Sequence, residues 1–176
     1  PSAVALCQFR NIIYSSVLLA KEDISIGVTV FRRLDFLEQA LASAVGQTVP
    51  VRVLLYDDGC EDLPALRAIL SQFGSRVEYR GPEGAAGLFR NMNRCIWNSP
   101  TPWVSVLHDD DLLEADFVER LLAVAPEVGS CALFCGGTTY IDREGRPFFV
   151  KSPAAGSSWR PIALERLAVE NQFSFP

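Results

Sequence analysis

Three consecutive carboxylates, Asp109, Asp110 and Asp111, follow the apolar run Trp103 to Leu107 and the chain's one histidine, His108. A second apolar run, Val51 to Tyr56, also ends on acids, Asp57 and Asp58. Carboxylates crowded at a strand end repel one another unless a cation or a proton compensates. Hard oxygen ligands gathered at one point suit Mg²⁺ or Mn²⁺, and such ions usually complete their shell with substrate phosphate. The residue types therefore point to a metal–diphosphate site.

A scaffold must bring those strand ends together. Ile24 to Val30 reads as a short, β-branched, buried strand. Leu34, Leu37, Leu41, Ala44 and Val45 recur at helical spacing, with Gly46 as the stop. Val51 to Tyr56 is the next strand, and Leu63, Leu66, Ile69, Leu70 and Phe73 mark a second helix ended by Gly74. Arg76 to Arg80 is a short strand, Gly81 to Gly87 a loop, and Phe89 to Trp97 a helix before Pro100. After the Trp103 strand, Phe117, Leu121, Leu122 and Val124 give another helix. Cys131 to Cys135, Thr138 to Ile141 and Phe148 to Val150 read as strands, with a turn at Asp142 to Gly145. A last helix is expected over Pro161 to Val169.

This alternation predicts an α/β fold, a mostly parallel sheet with helices on both faces and a β-hairpin region near the C-terminus. Ligands in such sheets bind outside the carboxyl ends of the strands. Arg32-Arg33, Asp57-Asp58 and His108 to Asp111 sit at three such ends and should share one crevice. Residues 1–22 read as an N-terminal extension, 23–150 as the ligand-binding domain, and 151–176 as the start of a further region.

Composition narrows the function. The chain has 176 residues and 49% hydrophobic content, enough for one compact domain with a sizeable core. A net charge of −5 argues against nucleic-acid partners bound through a broad basic surface. The apolar stretch Asn11 to Ala20 is too short and interrupted for a membrane segment, and it lacks the basic start of a signal peptide. Cys7, Cys60, Cys95, Cys131 and Cys135 form no CxxC pair, and one histidine cannot complete a Cys/His zinc set. They read as buried free thiols in a reducing compartment, hence a cytoplasmic protein. The usual phosphate cradles are missing: no GxxxxGK[ST], and no GxGxxG after the first strand. Thr29 to Leu37 contains no glycine, which counts against a nucleotidyltransferase loop.

Four segments in order, ISIGVTVFRRLDFLEQALASAVGQT, VRVLLYDDGCED, GLFRNMNRCIW and VSVLHDDDLLEADF, resemble the nucleotide-sugar-binding half of family 2 glycosyltransferases, which have the GT-A fold. The resemblance covers about Asp23 to Ala125 and continues more weakly to Val150. It implies transfer of a sugar, with inversion, from a nucleotide-diphosphate donor, expected to be UDP-linked, to a glycan or other hydroxyl acceptor. Mg²⁺ or Mn²⁺ is the implied cofactor, and polysaccharide biosynthesis the implied setting. Thr29, Phe31 and Arg33 would lie against nucleobase and ribose. Asp57 and Asp58 match the family's Asp-Asp-Gly-Ser motif, where a carboxylate accepts an imide N–H or a ribose hydroxyl. Arg90 and Asn91 fall where a helix start flanks diphosphate and sugar. Asp109 to Asp111 match Asp-x-Asp, which implies one or two metal ligands and a remainder that orients the donor sugar: Asp110 is the first choice of metal ligand, Asp111 a further ligand, a supporting group or a helix N-cap, and Asp109 a nucleotide-sugar-binding residue.

The chain departs from the family at Thr29, Val30, Arg32, Cys60 and His108, where proline, threonine, asparagine, serine and the first aspartate of Asp-x-Asp are usual. A non-catalytic binding or regulatory module on the same scaffold is the rival reading. Each residue also has a plainer alternative. Asp57-Asp58-Gly59 makes a plain turn, the acid triplet a solvated helix start, His108 a structural histidine, and Arg32 and Arg33 surface charges. Asn91 and Asn93 cap or face solvent, and Trp97 and Trp103 belong to the core. Trp159 could serve as a sugar platform. In the resembling family the general base is an acid beyond the hairpin, often in a Glu-Asp pair. Here only Glu165 and Glu170 follow Glu144, neither before an aspartate. The catalytic residue is thus unassigned, and the expectation is a fragment that binds donor but transfers slowly unless the chain is longer.

Overall fold

The computed structural model describes residues 5–8, 19–83, 87–128 and 133–151. Its elements are β1 (Ala5–Gln8), β2 (Ile24–Val30), α1 (Leu37–Val45), β3 (Arg52–Asp57), α2 (Leu63–Phe73), β4 (Val77–Arg80), α3 (Leu88–Trp97), β5 (Trp103–His108), α4 (Phe117–Val128), β6 (Leu133–Cys135), β7 (Thr138–Ile141) and β8 (Pro147–Lys151). The expected helix over 161–169, and Trp159, Glu165 and Glu170, lie outside the described residues.

Strands β4, β3, β2 and β5 run parallel in that order, and β1 joins β5 antiparallel with β6 beyond it. β7 and β8 form a separate antiparallel hairpin. Within the stretch 1–22, expected to be an N-terminal extension, Ala5–Gln8 pair with Val106 to Trp103. A four-residue run carries no period of its own, and its partner is remote in the chain, so only tertiary pairing decides its state.

β2 is the central strand, and all seven of its residues are buried. Ile24, Ile26, Val28 and Val30 join Leu37 and Leu41 of α1, Leu66 of α2, and Val118 and Leu121 of α4 in one cluster. Burying each such side chain contributes about 1.5–3 kcal/mol. The alternate residues Ser25, Gly27 and Thr29 face the other side, where α3 packs against Leu54, Tyr56 and Val104 through Cys95. Gly27 is required there: a Cβ at this position would come within 2.1 Å of Cys95 Sγ. Helices therefore cover both faces of the sheet.

α2 ends at Gly74 as its sequence predicts, and its other end is closed by Asp62. Asp62 Oδ1 accepts from Ala65 N at 3.0 Å, and Gly74, with φ +57°, donates back to Leu70 O. α3 buries Asn91 and Cys95, one turn apart. Trp97 departs from the expected core position and is 61% exposed. It lies about 200° around the helix from Cys95, so an apolar run in sequence did not place it on the inner face. Trp103 is buried as expected. Cys60 and Cys95 are buried free thiols; burial pushes both up, Cys95 to about 12.

Candidate functional site

The parallel register brings three strand ends side by side. Thr29 stands opposite both Tyr56 of β3 and His108 of β5, and Val30 opposite Asp57. A crevice of about 510 Å³ opens at these ends. Thr29 to Arg33, Asp58 and His108 to Asp111 form its base, and Leu88, Asn91 and Thr138 to Ile141 of β7 close its other side. A hollow of about 640 Å³ lies at the opposite end of β3 and β4, lined by Val51, Arg52, Ser75 and Val77 among others. It gathers none of the acids of the strand-end cluster, so the chemistry belongs to the first crevice.

The floor of the crevice is hydrogen-bonded. Thr29 Oγ1 lies 3.2 Å from His108 Nδ1 and 3.5 Å from the Leu107 carbonyl, to which it donates. His108 is thereby tied to the β2–β5 ladder. Of the two arginines, Arg33 turns to the acids: its Nη2 donates to Asp110 Oδ2 at 3.0 Å. Arg32 instead lies 3.6 Å from Glu61 and stacks 4.8 Å from the Phe31 ring centre.

The two strand-three acids divide. Asp58 lines the crevice. Asp57 does not. Its Oδ1 accepts from Gly59 N at 2.8 Å and Cys60 N at 2.7 Å, and its Oδ2 accepts from Tyr79 Oη at 2.7 Å. The carboxylate is the knot of the turn.

Asn91 and Arg90 divide as well. Asn91 is buried in the crevice wall, donates Nδ2 to Tyr56 O at 3.0 Å, and leaves Oδ1 without a hydrogen-bond partner among the described residues. Arg90 is exposed and outside the lining. The arginine that braces this wall is Arg94, three residues on from Asn91 and on the same helix face. It donates to Asp57 O at 2.9 Å and to Gly81 O, and sits 5.6 Å from the Tyr56 ring centre. Helical spacing from Asn91 was the signal that could have found it.

Two of the three consecutive aspartates carry raised pKa values. Burial, then the neighbouring Asp110 charge, pushes Asp111 up to about 6. Burial and Asp110 likewise raise Asp109, opposed in part by Arg33. The expected capping role of Asp111 is not found: α4 begins at Phe117, and Val118 N donates to Gln47 Oε1 at 3.0 Å instead. Gln47 Nε2 also donates to Glu114 O at 2.9 Å, and Ser43 Oγ accepts from Leu113 N at 3.1 Å. The end of α1 thus holds the loop that follows the acids, a long-range contact that no local pattern announces.

The sequence model of Glycosyl transferase family 2 matches residues 25–171. The chain belongs to glycosyl transferase family 2. Among solved structures it is similar to the crystal structure of S. aureus TarS 1-349, with a TM-score of 0.51 and 17% identity over 60% of this chain. The chain spans 32% of the length of that structure. A search of curated protein sequences finds no match. The shared fold is the GT-A type, and the crevice of this glycosyltransferase family 2 domain lies at the carboxyl ends of its parallel strands. Among the described residues no helix is long and apolar enough to cross a membrane.

The donor set fits a divalent cation in one respect only. Among the described residues no three His, Cys, Asp or Glu side chains converge into a cage. Crowded, partly buried carboxylates next to an open crevice suit Mg²⁺ or Mn²⁺ bound through one or two of them, the remaining positions being left to phosphate oxygens and water.

Proposed function

We propose that this glycosyltransferase family 2 domain binds a nucleotide-diphosphate sugar, with UDP as the nucleotide, and serves transfer of the sugar to a hydroxyl acceptor with inversion. The observation that carries the reading is the convergence of Thr29 to Arg33, Asp58, Asn91 and His108 to Asp111 on one crevice. Asp58 and Asn91 Oδ1, which has no hydrogen-bond partner among the described residues, are acceptors suited to the N–H and hydroxyl donors of uridine. Phe31 and Thr29 line the same crevice. Asp110, with Asp109 or Asp111, would hold Mg²⁺ or Mn²⁺, which when bound supplies positive charge to the departing diphosphate. Arg33 is placed to add its own charge.

Calorimetry of UDP, CDP and ADP with and without Mn²⁺ tests this. UDP should bind best and need the cation. Asp110→Ala should weaken UDP by roughly tenfold or more, the scale of a lost charged contact, with the fold intact by circular dichroism. Equal UDP affinity in wild type and variant at matched Mn²⁺ would rule the site out.

A second reading, a binding module without transfer, is favoured by His108 standing where the family usually has an aspartate and by the engagement of Asp110 with Arg33. Slow Mn²⁺-dependent hydrolysis of a UDP-sugar would favour the enzyme. Tight donor binding with no hydrolysis or transfer would favour the module.

A further inference from the structure

The Arg33–Asp110 pair lies in the crevice where, on the reading above, a divalent cation and a diphosphate meet. Its side chains are 70% and 43% exposed, and the contact is a single 3.0 Å ion pair. An exposed pair of this kind is weak, so a divalent ion can displace it. Arg32 is engaged elsewhere, with Glu61 and the Phe31 ring. Asn91 marks the same crevice independently as a ligand site, because its buried Oδ1 lacks a partner among the described residues.

We propose that Arg33 is an exchange residue: it neutralises Asp110 until a divalent cation takes that place, and its released guanidinium then engages the diphosphate. The inference rests on the reading of the crevice as a diphosphate site. It assigns Arg33 two opposing effects. While paired, it competes with the cation for Asp110. Once displaced, it offers a planar fork of donors to phosphate oxygens, which lysine cannot reproduce. No covalent step is involved. The consequence is a coupling between cation and diphosphate that goes beyond their direct contact, since the cation also frees a ligand for the diphosphate.

The test uses the 176-residue chain, its Arg33→Gln and Arg33→Lys variants, and Arg32→Gln as a neighbouring-charge control. Mn²⁺ binding without nucleotide is followed by loss of the free-ion paramagnetic resonance signal. UDP binding is followed by calorimetry with and without saturating Mn²⁺. Arg33→Gln should bind Mn²⁺ about three- to fivefold more tightly than wild type, the scale of an exposed ion pair. It should bind UDP roughly tenfold more weakly in Mn²⁺, with little change when Mn²⁺ is absent. Arg33→Lys should keep wild-type Mn²⁺ affinity and share the loss of UDP affinity. Arg32→Gln should alter Mn²⁺ binding less than Arg33→Gln. Unchanged or weaker Mn²⁺ binding in Arg33→Gln overturns the proposal alone, as does an equal loss of UDP affinity with and without Mn²⁺. Failure of the wild type to take up Mn²⁺ or UDP overturns the crevice reading and the proposal together.

Discussion

Tyr79 Oη donates to Asp57 Oδ2 at 2.7 Å, from β4 to the end of β3. With the two turn amides, this bond uses both oxygens of Asp57 inside the frame. The Asp-Asp pair then works as two parts, an inner acid that shapes the turn and an outer acid, Asp58, that faces the crevice. Tyr79→Phe should lower stability by about 1 kcal/mol, a modest figure because the phenol is partly exposed. It should leave UDP affinity within about twofold of wild type, since no crevice group is changed. Urea unfolding and calorimetry read the two effects separately. A large loss of UDP affinity at unchanged stability would return Asp57 to the binding set.

The loop that follows the acid triplet is anchored from a distance. Gln47 holds Val118 N, Glu114 O and Ser43 O with one carboxamide. Gln47→Ala strands a helix N–H and a loop carbonyl, at a cost of roughly 2–3 kcal/mol. Because the loop beginning at Asp111 leans on this contact, Mn²⁺-dependent UDP binding should weaken with it. Thermal unfolding together with the Mn²⁺ titration checks both, and a destabilised variant with intact binding would detach the loop from the site.

Asp111 gives a pH test with a defined sign. Its carboxyl is raised from 3.8 to about 6 in the folded chain, first by burial and then by Asp110. A raised folded value means a stabilising contribution that is complete below 3.8 and is lost as pH rises through about 6. Asp111→Asn abolishes that loss. Relative to wild type, the variant should gain thermal stability between pH 4 and pH 7.5, with the difference levelling off above pH 6. Mn²⁺ at pH 7.5 should narrow the gap by stabilising the wild type more. A gap that is constant across this range would mean that the folded chain does not raise the Asp111 carboxyl.

The sheet and the crevice were legible because parallel strands advertise themselves as short apolar runs, and their polar last residues must meet at one edge. Val30, Tyr56 and Leu107 each mark such an end, and the register places them together. Three features were not legible, for different physical reasons. β1 depends on pairing with a remote strand. The exposure of Trp97 depends on which arc of α3 meets the sheet, and Cys95 against Gly27 decides that. The separation of Asp57 from Asp58 depends on Tyr79, whose phenol reaches across the ladder from a strand that carries no motif. Arg90 was favoured from its motif position, yet Arg94 is the arginine that faces inward. Local patterns identify the strand ends; long-range contacts decide which side chain at each end lines the crevice.

The close approach of sheet and helix at Gly27 and Cys95 yields a prediction in which two harmful changes offset each other. A methyl group on Gly27 would lie 2.1 Å from Cys95 Sγ and 3.3 Å from the Tyr56 ring. Neither neighbour has room to retreat, since both are buried in the smaller core cluster. Gly27→Ala alone should therefore cost about 1–3 kcal/mol through overpacking. Cys95→Ala alone removes a buried sulfur and should cost about 1 kcal/mol. Combined, the new methyl group occupies the space the sulfur left, so the double variant should be more stable than the sum of the single effects by about 1–2 kcal/mol. Urea unfolding of the four proteins completes the cycle. Because Asn91 shares this helix one turn earlier, Gly27→Ala should also shift the crevice wall and weaken UDP binding, and Cys95→Ala should restore it. Additive stabilities, with no recovery of binding in the double variant, would show that β2 and α3 are not coupled through this contact.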